Sequence, residues 1–318
     1  MTFRAAVAAV ILSIATGIGA YGQGAPTIEG CPVFPPDNIW NRRVDNLPKA
    51  LGSDILIGSM QPSLPLYPDF GAGLHREGIT KGIPYVVVPG TQKKVSVDIK
   101  YDAESDGSSY PVPPNPPIEG GADSKSDRHI LMIDKDRCRL YELFASFPTK
   151  NGKWRADSGS IFELRTNKLR PDGWTSGDAA GLPVFPALVR YDEVMSGEIQ
   201  HALRFTVVTT RDDHIWPARH QAGDGSDVKL PPMGLRLRLK ADYPIEGFSP
   251  EVQVILRALK KYGMMLADNG PAWDITGTPD ERWNNEHLKD LSRVHGSDFE
   301  VVYMEPLMIN RDSGQARQ

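Results

Sequence analysis

The stretch His129–Ala145, "HILMIDKDRCRLYELFA", decides the fold. Its two apolar runs flank Lys135-Asp136-Arg137, a polar trio of the kind that closes a hairpin. Each run is short and rich in Ile, Leu, Tyr or Phe, so the pattern predicts two paired strands. Alternation then places Cys138, Leu140, Glu142 and Phe144 on one face. Glu142 shares its side with apolar neighbours, where a carboxyl must be either neutral or partnered.

Outward from the hairpin, "IPYVVVPG" and "KKVSVDIKY" predict two strands around a Gly-containing turn, with Val95, Val97 and Ile99 on one face. "GSIFELR", "IQHALRFTVV", "GLRLRLKA" and "FEVVYM" predict four more. In "GLRLRLKA" Leu235, Leu237 and Leu239 should point in, and Arg236, Arg238 and Lys240 out. "SPEVQVILRALKKYG" predicts a helix capped by Ser249, with Pro250 at its first position and Val252, Ile255, Leu256 and Leu259 as its apolar stripe. "WNNEHLKDLSRV" predicts a second, shorter one. Residues 106–126 form a Pro/Gly-rich excursion, and "GWTSGDAAGLPVFPALV" is irregular. These elements predict a mainly β fold, a β-sandwich or jelly-roll-like single domain with one or two helices near the C-terminus.

The first 22 residues, with Arg4 before the run "AAVAAVILSIATGIGA", predict a signal peptide, leaving 23–318 as one β-rich domain that is secreted or periplasmic. No later apolar run predicts membrane attachment. The net charge of -4, with scattered Lys and Arg, excludes a nucleic-acid partner. The chain has 2 cysteines, and in an oxidising compartment Cys31 and Cys138 should pair.

Candidate chemistry falls in a few places. Glu142 is a candidate general acid, because burial raises a carboxyl pKa, although an ion pair with Arg204 would serve equally. Asp178 in "TSGDAAG" and Glu193 in "RYDEV", both expected on loops, are candidates for the base or nucleophile. In "IQHALRFTVV", His201 should point with Leu203, Phe205 and Val207, and Arg204 with Thr206 to the other side. His201 is then either a satisfied core histidine or a site residue. Trp216, Arg219 and His220 lie in irregular "WPARH", where an aromatic beside an arginine suits a sugar ring; the alternative puts Trp216 in the core and Arg219 on a carboxylate. Asp212, Asp213 and His214 read as turn residues. His129, Arg204 and Asp268, the last in "LADNG", complete the substrate-binding candidates. A metal site from His129, His201 and His220 lacks a recognised spacing, and no Walker loop or dinucleotide fingerprint is present, so neither metal nor cofactor is expected.

The set "CPVFPPDNIWN", "DRHILMID…CRLYELF", "GWTSGDAAGLPVFPALVRYDEVMSGEIQHALRF", "WPARH", "PPMGLRLRLK" and "ILRALKKYGMMLADNG" resembles a group of exported, mostly uncharacterised bacterial proteins. The resemblance covers nearly all of the chain after residue 22. It implies an exported β-rich unit in one continuous domain, and it brings no activity and no catalytic residue.

Taken together, export, a β-rich frame and acidic residues on apolar or loop positions predict a carbohydrate-active enzyme, a hydrolase cutting a polysaccharide or cell-wall glycan with paired carboxylates. A polysaccharide lyase, a histidine-metal enzyme and a non-catalytic glycan-binding or cell-envelope protein are the alternatives. A hydrolase with these roles predicts one cleft containing Glu142, Asp178 and His201; a non-catalytic protein predicts aromatics on a flat exposed face and no such convergence.

Overall fold

The computed structural model describes residues 24–74 and 78–317, so the predicted signal peptide lies outside the described residues. The hairpin forms as its pattern predicts: Ile130–Asp134 pairs antiparallel with Arg139–Phe144, and Leu131 faces Glu142 across the ladder. Ser158–Glu163 joins one side antiparallel, and Tyr85–Val88 joins the other side in parallel. Both faces of this four-stranded sheet are covered. Leu131, Ile133 and Leu140 belong to the main core, whereas Ile130, Met132, Tyr141 and Leu143 pack with Val97 and Ile99 in a second one. Two-sided burial is why "ILMI" is continuously apolar instead of alternating.

The predicted partnership of "IPYVVVPG" with "KKVSVDIKY" does not form. Val95–Ile99 leaves for a separate four-stranded sheet, ordered Ser109–Tyr110, Val95–Ile99, Trp154–Ala156 and Phe147–Pro148. Its predicted face is correct, since Val97 and Ile99 are buried there. Because each strand finds a better apolar partner elsewhere, the Gly-containing turn joins two sheets and not two neighbours.

The largest sheet has six strands in the order Phe299–Val301, Arg236–Leu239, Met264–Asn269, Leu203–Val207, Asp274–Thr276 and Tyr67–Asp69. It is mixed: Leu203–Val207 runs parallel to Met264–Asn269 and antiparallel to Asp274–Thr276. A register shift between Phe205 and Thr206 interrupts the first of these ladders, beside the polar residues described below. The fold is therefore mainly β.

The helix Pro250–Lys261 buries Val252, Ile255, Leu256 and Leu259 as expected. It stops at Gly263, whose φ is 67° and whose added Cβ would stand 2.0 Å from the Leu237 carbonyl oxygen. The second predicted helix is Asn285–Leu288, continued by the 3-10 turn Lys289–Arg293. Two helices have no counterpart in the sequence reading, Ser53–Ser59 and Tyr191–Ser196. The latter carries Glu193, which was expected on a loop.

Arg236 corrects the strand-parity expectation. It is fully buried instead of solvent-facing, and its guanidinium donates to the carbonyls of Ile39 (2.7 Å), Tyr262 (2.9 Å) and Arg42 (3.0 Å). The N-terminal segment covers that face of the strand, and its backbone oxygens satisfy the charge that parity would have sent to water. Cys31 and Cys138 are disulfide-bonded across a separation of 107 residues. Among the described residues, no helix is long and apolar enough to cross a membrane.

Candidate functional site

Glu142 marks the floor of a polar cluster held between the hairpin sheet and the six-stranded sheet. Its Oε1 accepts the amide N–H groups of Val184 and Phe185, both at 2.9 Å, from the irregular segment that follows Gly177. Among the described residues, no arginine pairs with it. Burial pushes its carboxyl up to about 7, against the pull of those two amides. The Glu142 carboxyl therefore carries a proton up to neutral pH.

Gly177 explains how the irregular segment approaches so closely. A Cβ there would lie 3.1 Å from Val184 Cγ2 and 3.5 Å from both Glu142 Oε2 and His129 Cδ2. The Gly177 carbonyl accepts from His129 Nε2 at 2.8 Å, while His129 Nδ1 donates to Glu119 Oε2 at 2.6 Å. Two acceptors, one at each ring nitrogen, require both nitrogens to be protonated. Burial opposes that charge, yet Glu119 overrides it and raises His129 to about 10. Burial alone would raise Glu119 too; His129 instead holds it below the usual carboxylate range.

Asp178 follows Gly177 and is bound by Arg204, whose Nε donates to Asp178 Oδ2 at 3.1 Å and whose Nη2 bonds Oδ1. This two-pronged geometry is the strongest an arginine and a carboxylate form. Arg204 Nη1 also donates to Thr276 Oγ1 on the adjacent strand. Burial nevertheless pushes Asp178 above its ordinary value, and Arg204 itself is raised by the same partnership despite its burial.

Asp268 is the penultimate residue of the strand parallel to that of Arg204 and is half-buried. Burial first and Asp178 second push it up to about 6. Asp274 is raised to about 7 by burial and by Asp69, its neighbour on the adjoining edge strand. The Arg204 guanidinium opposes a raised pKa at Glu119, Asp178, Asp268 and Asp274 alike, although only Asp178 is bonded to it. Glu119, Asp268 and Asp274 keep partial exposure, whereas Glu142 and Asp178 have none.

The structure brings together Glu142, Asp178, His129, Arg204 and Asp268 of the residues expected at a site. It holds others elsewhere. Glu193 belongs to a separate buried triad: Arg190 Nη2 donates to Glu193 Oε1 at 2.6 Å, and His201 Nε2 lies 3.1 Å from Glu193 Oε2. Burial would raise Glu193, but Arg190 and His201 hold it down at about 2. His201 Nδ1 donates to the Ala202 carbonyl at 2.9 Å, which makes His201 a satisfied core histidine. The expected convergence of His201 with Glu142 does not occur.

The "WPARH" residues bind the chain itself. Trp216 Nε1 donates to the Ser313 carbonyl at 2.9 Å, and Arg219 bonds the Arg311 carbonyl and Asp312 Oδ1, both at 2.8 Å. The arginine is on a carboxylate, and the pair anchors the C-terminal segment. His220 Nδ1 donates to the Ala179 carbonyl at 2.8 Å, one residue past Asp178. With His129, His201 and His220 on three different sets of partners, the three-histidine metal point does not form; among the described residues no other trio of ligating side chains does either. Asp213 makes the expected local turn contact, its Oδ1 accepting the His214 amide at 2.8 Å, whereas the His214 side chain reaches away to Gln221 at 3.2 Å and Asp172 at 3.0 Å.

Glu119, Asp274 and Thr276 were missed by sequence reasoning. Glu119 lies in the Pro/Gly-rich excursion, which packs back onto the hairpin: its amide donates to the His129 carbonyl at 3.1 Å, and Arg128 ties the loop through the carbonyls of Ala122 and Ser124, both at 2.8 Å. The apolar Ile118 beside it is the one signal that this loop returns to a core. Comparison with protein-family models, curated proteins and solved structures gives no match.

Proposed function

We propose that the chain is an exported carbohydrate-active hydrolase that cleaves a glycan at the Arg204 cluster, with Asp268 as general acid and Glu119 as general base. The observation that supports this is the split protonation around one arginine: Asp268 is raised to about 6, while Glu119 is lowered. Carboxyls whose environments drive them apart in this way are suited to opposite roles in acid–base catalysis. Glu119 Oε2 is engaged by His129, and Oε1 has no hydrogen bond among the described residues, which leaves it as the acceptor for a water proton in this reading.

In this reading Asp268 delivers its proton to the glycosidic oxygen as the bond to carbon breaks, and Glu119 takes a proton from the water that adds to that carbon. The reading does not rest on the cleft of Glu142, Asp178 and His201 expected from sequence, since His201 lies with Glu193 elsewhere; Glu142 and Asp178 take supporting roles because full burial keeps them from a polymer. Asp178 orients Arg204, and neutral Glu142 pins the Val184–Phe185 turn. Arg204 is already matched by Asp178, which leaves it poorly suited to neutralise a uronate as lyase chemistry demands. The Cys31–Cys138 disulfide fits an oxidising compartment, which supports export.

A panel of plant and microbial polysaccharides, assayed for both reducing ends and ultraviolet-absorbing unsaturated products, tests the proposal. Reducing ends without unsaturated products, lost by about 100-fold or more in Asp268→Asn, are expected. Unsaturated products would establish a lyase, and glycan binding without turnover would establish a non-catalytic protein.

A further inference from the structure

A cavity of about 440 Å³ opens where the helix Ser53–Ser59, the end of the strand Phe299–Val301 and the Arg211–Trp216 segment meet, away from the Arg204 cluster. This volume lies within the range of small-molecule sites. Leu56, Ile215, Trp216, Leu235, Met304 and Met308 supply its walls. Sugar hydroxyls would lose water against such walls without gaining partners, so the lining selects a hydrocarbon. Methionines at two points of the wall adapt to a flexible chain.

The rim has the opposite character. Arg211, His214 and Arg311 line it, with Glu305 as the acidic lining residue. Glu305 is engaged by the Tyr303 hydroxyl, Arg211 is bonded to Asp213 at 3.0 Å, and His214 Nε2 is 3.0 Å from Asp172. Arg311 is exposed; its charge acts on the Asp172 carboxylate, but its side chain makes no hydrogen bond or ion pair among the described residues. Its backbone is fixed in place, because Arg219 bonds its carbonyl and Trp216 bonds that of Ser313. Trp216 thus lines the cavity, while Arg219 fixes the backbone of Arg311, a second lining residue.

We propose that this cavity binds a free medium-chain acyl carboxylate, with the chain between Trp216, Leu235 and Met308 and the carboxylate on Arg311. The proposal is independent of glycan cleavage at the Arg204 cluster. Calorimetric titration with hexanoate, octanoate and decanoate below their micelle-forming concentrations tests it on the intact chain. One site is expected, with affinity rising about fourfold per CH2 until the cavity is full. Arg311→Glu should weaken octanoate by about tenfold or more and leave 1-octanol unchanged, since only the charge-assisted contact is lost. Met308→Trp, which fills the cavity from a half-buried position, should remove both ligands. Absence of saturable binding, or binding that ignores both substitutions, overturns the proposal.

Discussion

Arg204 Nε donates to Asp178 Oδ2 at 3.1 Å between two sheets, and neither side chain has appreciable contact with solvent. Taking one partner away strands the other charge in a medium that cannot solvate it. Arg204→Met should therefore destabilise the fold by about 3–5 kcal/mol. Asp178→Asn with Arg204→Met should recover part of that loss. Urea unfolding of the single and double variants measures both.

The disulfide makes a separate prediction. On the chain-entropy model, a bridge closing a loop as long as that between Cys31 and Cys138 contributes about 4–5 kcal/mol. Cys31→Ser with Cys138→Ser should lower the urea midpoint accordingly, with the surrounding core unaltered. A midpoint equal to that of wild type would place the stabilisation elsewhere.

Stability should fall between about pH 5 and 8. Glu142, raised from 4.5 to about 7, keeps a proton in the folded state that the unfolded chain has already lost. Its contribution is full below the unfolded pKa and disappears as pH rises through 7. Asp268 and Asp274, raised from 3.8 to about 6 and about 7, act in the same sense. His129, raised from 6.5 to about 10, contributes below 6.5 and loses that contribution toward pH 10. Glu193 has the opposite sign, since its lowered pKa makes its contribution full above 4.5 and lost as pH falls through 2. Glu142→Gln preserves an acceptor for Val184 and Phe185 without the titration. It should flatten the decline by about 1–3 kcal/mol between pH 5 and 8, read from urea unfolding at both values.

Hydrolysis should follow a bell in pH. Its acidic limb belongs to Glu119, held below the ordinary value by His129, and its alkaline limb to Asp268 near 6. Asp268→Asn should abolish the alkaline limb together with most of the rate. His129→Gln should move the acidic limb upward, because Glu119 loses the imidazolium that keeps it ionised. Profiles of kcat/KM for these variants distinguish an acid–base pair from a structural ion pair.

The hairpin His129–Ala145, the amphipathic helix at Pro250 and the cysteine pair were legible because short-range pattern decides each of them. Glu142 was legible as a buried carboxyl for the same reason. Its partners were not. Strand parity names the side on which a residue lies, but the Val184 and Phe185 amides reach Glu142 only because Gly177 lets an irregular segment close on the hairpin. Arg236 shows the same limit, since its face is correct and the covering segment comes from nearly 200 residues away. Glu119 was hidden by composition: a loop rich in Pro and Gly reads as solvent-exposed, although Arg128 and His129 bind this one to the sheet.

Carbon-13 NMR titration of the side-chain carboxyls, assigned with Asp268→Asn and Glu119→Gln, tests the split protonation most directly. Asp268 should titrate near 6 while Glu119 stays ionised to below its ordinary 4.5. Titration of both groups together near their ordinary values, or of Asp268 below Glu119, would contradict it.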